Sequence, residues 1–148
     1  MKKEQQLQAT IGFQLAGIKT EQFALFPEFY KESEDVELQI NVKFGISVED
    51  KILGVAVKCC FTQKDTTILI IEAGHQYAIE SEGLTSMVNS ENHTVTLPQN
   101  LAAHLVLLTI CTARGILHAK VENTIFSGFF VPSINLVPLV PEPVVINY

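Results

Sequence analysis

The sequence predicts an α+β fold: four long strands forming a sheet, one long helix packed on it, and an extended, proline-containing tail. Three patterns carry this prediction. From Val36 to Val48 every second residue is apolar (Val36, Leu38, Ile40, Val42, Phe44, Ile46, Val48), with Glu37, Gln39, Asn41, Lys43, Gly45 and Ser47 between them. A period of two marks a strand with one buried and one wet face. At ~3.3 Å per residue this one spans roughly 40 Å. The alternation returns from Lys51 to Gln63 on Leu53, Val55, Val57, Cys59 and Phe61. Beyond Pro98 the apolar spacing becomes helical.

The first strand is expected to begin near Ala9, with Ile11, Phe13 and Leu15 alternating. Its pattern breaks at Gly17, where a bulge would turn Ile18 to the opposite face. Phe23 to Tyr30 is rich in aromatics, contains Pro27, and reads as neither strand nor helix; Lys31 to Asp35 is a charged turn. The tight Glu49-Asp50 joins the second strand to the third. The fourth covers Thr66 to Glu80, and Ile68 to Ile71 is apolar on both faces, as in a strand covered twice. Residues 81–96 read as a polar loop carrying Leu84, Met87 and Val88, and long loops tend to carry function.

Thr96, Pro98 and Gln99 predict a capped helix start with a capping box, and the helix is assigned to residues 97–120. Leu101, Leu105, Leu108, Thr112, Ile116 and Ala119 form one stripe, and Ala103, Val106, Ile110, Ala113 and Leu117 a second, nearly opposite. A surface helix has one apolar face; this one has two. If the sheet covers the first stripe, leaving Val106, Ile110 and Leu117 in water forfeits roughly 5–9 kcal/mol, as much as a small domain's whole stability. The reading is therefore a homo-oligomer, dimer or tetramer, with Val106, Ile110, Ala113 and Leu117 in the interface. Pro138, Pro141 and Pro143 keep Val137 to Tyr148 from forming a long helix, and residues 121–148 are read as an extended tail.

Composition narrows the classes. The 148 residues make one domain, spanning 1–148, and with 47% hydrophobic and 18% charged residues it is not a disordered chain. The net charge of −6, with scattered basic residues, argues against nucleic acid. Cys59, Cys60 and Cys111 suit core or interface thiols in a reducing compartment, not a disulfide framework or a zinc site. Lys2 and Lys3 lead into Glu4, Gln5 and Gln6, unlike a secretory signal, and the apolar run Leu101–Ala113 falls short of the ~18 residues of a membrane span. The expected location is cytoplasmic, with no membrane insertion.

No catalytic motif, metal-ligand set or cofactor fingerprint is present, so no catalytic residue, metal or cofactor is assigned and the chain is not read as an enzyme. His104, Cys111 and His118 recur every seven residues, but ~10 Å of helix rise separates neighbours, too far for one dyad or metal. His75 reads as structural. The sequence supplies instead apolar residues in irregular segments: Phe23, Phe26, Phe29 and Tyr30; Leu84, Met87 and Val88; Phe126, Phe129 and Phe130. Aromatics and methionine on adaptable segments suit a groove for extended peptides.

Three stretches resemble the SecB-type protein-export chaperones. Glu72 to Glu80 is similar to that family's glycine–x–x–aromatic–x–aliphatic run in the fourth strand. Pro98 to Arg114 resembles its proline-started long helix, and Pro132 to Pro138, following Gly128 and phenylalanine, its G-x-F-P-x-L-N-L-x-P. The resemblance implies a four-stranded antiparallel sheet crossed by a long helix, dimers pairing into tetramers through helices, and ATP-independent holding of unfolded or nascent polypeptide in surface grooves. This chain departs from the pattern in its extended tail, where the family has a second helix, and in a longer segment between Arg114 and Pro132. It has Ile70 where the fourth strand would offer a carboxylate to the export motor ATPase, which leaves that partner open. The reading is a divergent SecB-like chaperone with a narrow client set, such as antitoxin-type partners. Its rivals are a structural assembly module bound to another copy or a dedicated folded partner, and a small enzyme or ligand carrier with a sheet-lined pocket, which a small molecule bound against His75 and Glu72 would favour.

Overall fold

The computed structural model describes residues 11–148, so the expected start of the first strand near Ala9 lies outside the described residues. Strand β1 (Phe13–Leu25) is followed by a 3-10 turn (Pro27–Phe29), β2 (Glu37–Ser47), β3 (Ile52–Gln63) and β4 (Thr66–Ile79). They form one antiparallel sheet in the order β1-β4-β3-β2. The period-two pattern reports burial faithfully: Leu53, Val55, Val57, Cys59 and Phe61 all point into the core. Ile68 and Leu69 are both buried because the register slips between Phe61 and Thr62 and leaves Ile68 as an extra residue; Ile70, on the other face, is only half-buried, so the expectation of a strand covered on both faces is corrected. The bulge falls between Leu15 and Gly17 and sets Ile18 opposite His75. Helix α2 (Gln99–Val121) packs against β3 and β4.

Four further expectations are corrected. Phe23 to Leu25 belongs to β1, because pairing with Ile71 to Leu69 extends the strand past the aromatic cluster. The loop at 81–96 is instead a short helix α1 (Ser81–Met87), then β5 (Val88–Asn89) and β6 (Thr94–Leu97). Thr85 and Ser86 hydroxyls bond back to Ser81 and Gly83 carbonyls within α1, and such self-bonding residues read as loop in a sequence. Thr96 does not cap α2, since it lies in β6 opposite Val145 and Pro98 takes the N-cap position. The Gln99 side chain bonds the Val140 carbonyl instead of closing a capping box. The tail is extended as expected, but it ends in β7 (Val144–Asn147), which pairs with β6 in a second, three-stranded sheet.

The fourth correction concerns the two stripes of α2. Val106, Ile110, Ala113 and Leu117, expected at an oligomer interface, are 0% exposed inside the single chain, beneath the sheet. The opposite stripe is divided: Leu105 is buried as well, Leu101 and Ile116 are half-buried, and Leu108 is 37% exposed. Both stripes satisfy helical spacing equally, so periodicity could not decide which one the sheet takes. At 23 residues α2 is also long and apolar enough to cross a membrane by length and composition, contrary to the count made on Leu101–Ala113. In this fold it is the core helix.

Candidate functional site

At the end of the sheet where β1 gives way to β2, Gln63 organises the connection. Its Oε1 accepts from the Lys31 amide at 2.9 Å, and its Nε2 donates to the Lys31 and Glu34 carbonyls at 2.7 and 3.0 Å. The amide is 2% exposed. Glu34 adds two lysine partners, Lys31 and Lys64. This bracket anchors the chain just after the Pro27–Phe29 turn, and Tyr30 follows that turn inward.

Tyr30 meets Phe126 and Phe129 at ring-centroid distances of 5.3 and 5.5 Å. Phe129 also touches Phe61 and Phe126, and Phe26 lies 6.2 Å from Phe29. Two of the three apolar segments named from the sequence therefore converge on one aromatic cluster. Phe126 is its buried centre. Phe29 (50% exposed) and Phe130 (64%) stand out of it into solvent. Phe23, farther along β1, lies under the Lys120 ammonium at 5.2 Å.

The third segment does not join them. Leu84 and Met87 are buried in α1 with Val88 half-buried beside them, and α1 follows the Ile79 end of β4. The aromatic cluster sits at the Thr66 end, so the length of a long strand separates the two. Sequence reasoning missed Val36 and Ile125, which are exposed near the aromatic end, and Leu15 and Ile18, exposed on β1. Val36 belonged to a regular alternation that promised burial. Its exposure arises because the strand pairing starts one residue later, at Glu37.

A second exposed apolar surface lies along β1, an edge strand. Phe13 packs edge-on against His104 of α2 at 6.0 Å, and Leu15, Ile18 and Leu108 border the same flank in the open.

The titratable groups are structural. The His75 ring joins Tyr77 Oη through Nδ1 and Thr112 Oγ1 through Nε2, both at 2.7 Å, and thereby ties β4 to α2. Glu72 is three residues away on the same strand, which puts it on the other face of the sheet, paired in register with Lys58. His75 and Glu72 therefore face opposite sides of the sheet, and one small molecule in a single pocket does not touch both. Burial pushes the Cys59 thiol up to about 12, so it is no nucleophile. Among the described residues no three His, Cys, Asp or Glu side chains cluster to hold a metal ion.

Burial also lowers the His75 pKa below 6.5. The unfolded chain therefore binds a proton that the folded chain refuses between the two values. Stability is full above pH 6.5 and is lost as pH falls toward the depressed folded value. The melting temperature is expected to drop between pH 7 and pH 5, and His75→Gln should flatten that slope; an unchanged slope would remove His75 from the account.

No family model matches the chain, and no curated protein matches it. Among solved structures, the SecB-like chaperone of Mycobacterium tuberculosis, determined in complex with a ChAD peptide from the HigA1 antitoxin, superposes with a TM-score of 0.50 at 10% sequence identity. The match covers 83% of this chain and 91% of that one. The chain has the SecB-like fold. A protein of unknown function from Streptococcus agalactiae aligns with a TM-score of 0.31 at 12% identity, over 84% of this chain and 100% of that one. In the SecB-like frame, the outer sheet face of this chain carries Ile70 between Ala24 and Cys60 in register.

Proposed function

We propose that the chain is a SecB-like molecular chaperone that holds unfolded or nascent polypeptide by apolar contact, without nucleotide or other cofactor. The observation that carries this reading is the aromatic end of the sheet. A rigid buried cluster around Phe126 presents Phe29 and Phe130 to solvent, with Val36 and Ile125 exposed near them. Exposed aromatics on a rigid base give large contact area at small entropic cost, and they accept many apolar sequences. A fold neighbour solved with an antitoxin peptide supports polypeptide as the ligand class. Export is the finer part of the proposal. With Ile70 on the outer face, a narrow client set of the antitoxin type fits this chain better than a general export motor contact.

The test is suppression of client aggregation, followed by light scattering at stoichiometric chaperone. Phe29→Ser with Phe130→Ser should leave the melting temperature within a few degrees and weaken client affinity roughly tenfold or more. Wild-type chain that fails on several unfolded clients would sink the reading. It would leave the structural module, in which these aromatics bury against one dedicated folded partner.

We further propose self-association through β1 and the outer flank of α2, in place of the stripe expected from sequence. The β1 edge, unpaired among the described residues, can extend the sheet into a second copy, and Leu15, Ile18 and Leu108 supply the apolar contact. Solution mass should be two or four times 16.4 kDa. Ile18→Glu with Leu108→Glu should return it to one subunit; a wild-type monomer at high dilution would rule out this surface.

A further inference from the structure

We infer that the extended tail between Val131 and Val140 is a strap lying in the chain's own peptide trough, and that a bound client displaces it. The inference rests on the chaperone reading and extends its client surface from Phe130 along α2 into the trough beneath residues 131–140.

Arg114 fixes one end of the strap, donating from Nε to the Val131 carbonyl at 2.6 Å and from Nη2 to the Pro132 carbonyl at 2.8 Å. Gln99 fixes the other, donating from Nε2 to the Val140 carbonyl at 3.0 Å. Gln99 opens α2 and Arg114 lies about four turns further on, so the tail runs back along the helix. At 100° per residue, Gln99, Ala103 and Arg114 share one flank, while His104, Leu108 and Thr112 occupy the flank toward β1 and β4. The strap therefore takes the flank away from β1, and β7, which continues it, lies against β2.

The strap is built like the ligand proposed for this protein: extended, bounded by prolines and apolar. Val131 and Val140 are buried, and Ile134, Leu136 and Leu139 pack half-buried against the core. Yet its backbone is held almost entirely by itself. From Ser133 to Leu139 the hydrogen bonds are local, Val137 N–H to Asn135 Oδ1 and the amides of Leu139 and Val140 to the Leu136 carbonyl. No ladder bond ties that stretch to a neighbouring element among the described residues. A cleft of about 190 Å³ is lined by Leu136, Val137 and Val140 of the strap together with Gln99, Asn100 and Ala103 of α2. Side-chain packing and two side-chain clamps hold the middle of the strap.

Both ends stay attached, one through Val131 and the other through β7 paired to β6, so the strap competes as a tethered ligand at high effective concentration. A client wins only when its own apolar residues outbid that local supply. Such a device keeps the trough covered in the absence of client and grades clients by affinity.

The probe is a fluorescein-labelled synthetic peptide copying residues 129–141. Ile134→Ser with Leu136→Ser removes two of the strap's own packing side chains and leaves the trough, both clamps and β7 in place. This variant is expected to bind the peptide roughly tenfold more tightly than wild type. On the wild-type protein, hydrogen exchange at the amides of 134–139 should accelerate when a permanently unfolded polypeptide is added. Equal peptide affinity in the two proteins, or client binding that leaves those amides unchanged, overturns the strap while the chaperone reading stands. Absence of client binding to either protein overturns both.

Discussion

Phe126→Ala is expected to destabilise the protein by ~3–5 kcal/mol, the range for deleting a buried phenylalanine side chain. Its ring is 0% exposed and contacts Tyr30 and Phe129 at 5.3 Å each. Those partners come from two connections remote in sequence, so the site cannot collapse around the loss. The Tyr30 turn is held by backbone bonds of its own, and Phe129 is braced on Phe61 at 5.7 Å. A cavity remains, and chemical denaturation should show a lower midpoint with little change in slope. Phe130→Ala, four residues on, removes a side chain 64% exposed and should change stability by less than about 0.5 kcal/mol. That contrast separates the base of the aromatic cluster from its projecting face. Equal losses from both would mean that Phe130 is packed and cannot serve a client.

Gln63→Leu is the second large effect, expected at ~2–3 kcal/mol because a nearly isosteric side chain abolishes three hydrogen bonds at once. The Lys31 amide and the carbonyls of Lys31 and Glu34 then lack their partner close to the sheet end. The consequence reaches beyond stability. The bracket anchors the chain just after the Pro27–Phe29 turn, whose other tie to the sheet is the Phe26 amide on the Ile68 carbonyl, so freeing it should loosen Phe29 and weaken client binding, although residue 63 touches no client. Hydrogen exchange should quicken at Lys31 and leave the amides of β3 slow. Fast exchange throughout β3 would show global unfolding instead, and would remove the bracket as a positioning device.

The four-stranded sheet was legible because its signal is local. In β2 and β3 each residue's face follows from its parity alone, so Leu53, Val55, Val57 and Cys59 could be assigned inward without knowing what lay above them. The resemblance in three short stretches led to the fold that the structural comparison shows. The candidate site was legible only in part. Phe26, Phe29, Tyr30, Phe126 and Phe129 announce themselves as aromatics in irregular chain, and they do meet. Leu84 and Met87 looked the same in the sequence and went elsewhere, because a seven-residue helix with a glycine has too little periodicity to be seen. Gln63 gave no signal, since nothing in a strand-end glutamine shows which carbonyls it will face.

The alternation of apolar and polar residues thus determined by itself that this chain makes a long-stranded sheet with one buried face, and the helical spacing after Pro98 determined a helix with two apolar stripes. Only the tertiary structure decided which stripe the sheet covers, where the tail lies, and that β6 pairs with β7. The reason is physical: periodicity encodes an element's own geometry, whereas two equivalent stripes and four-residue strands are told apart only by partners distant along the chain.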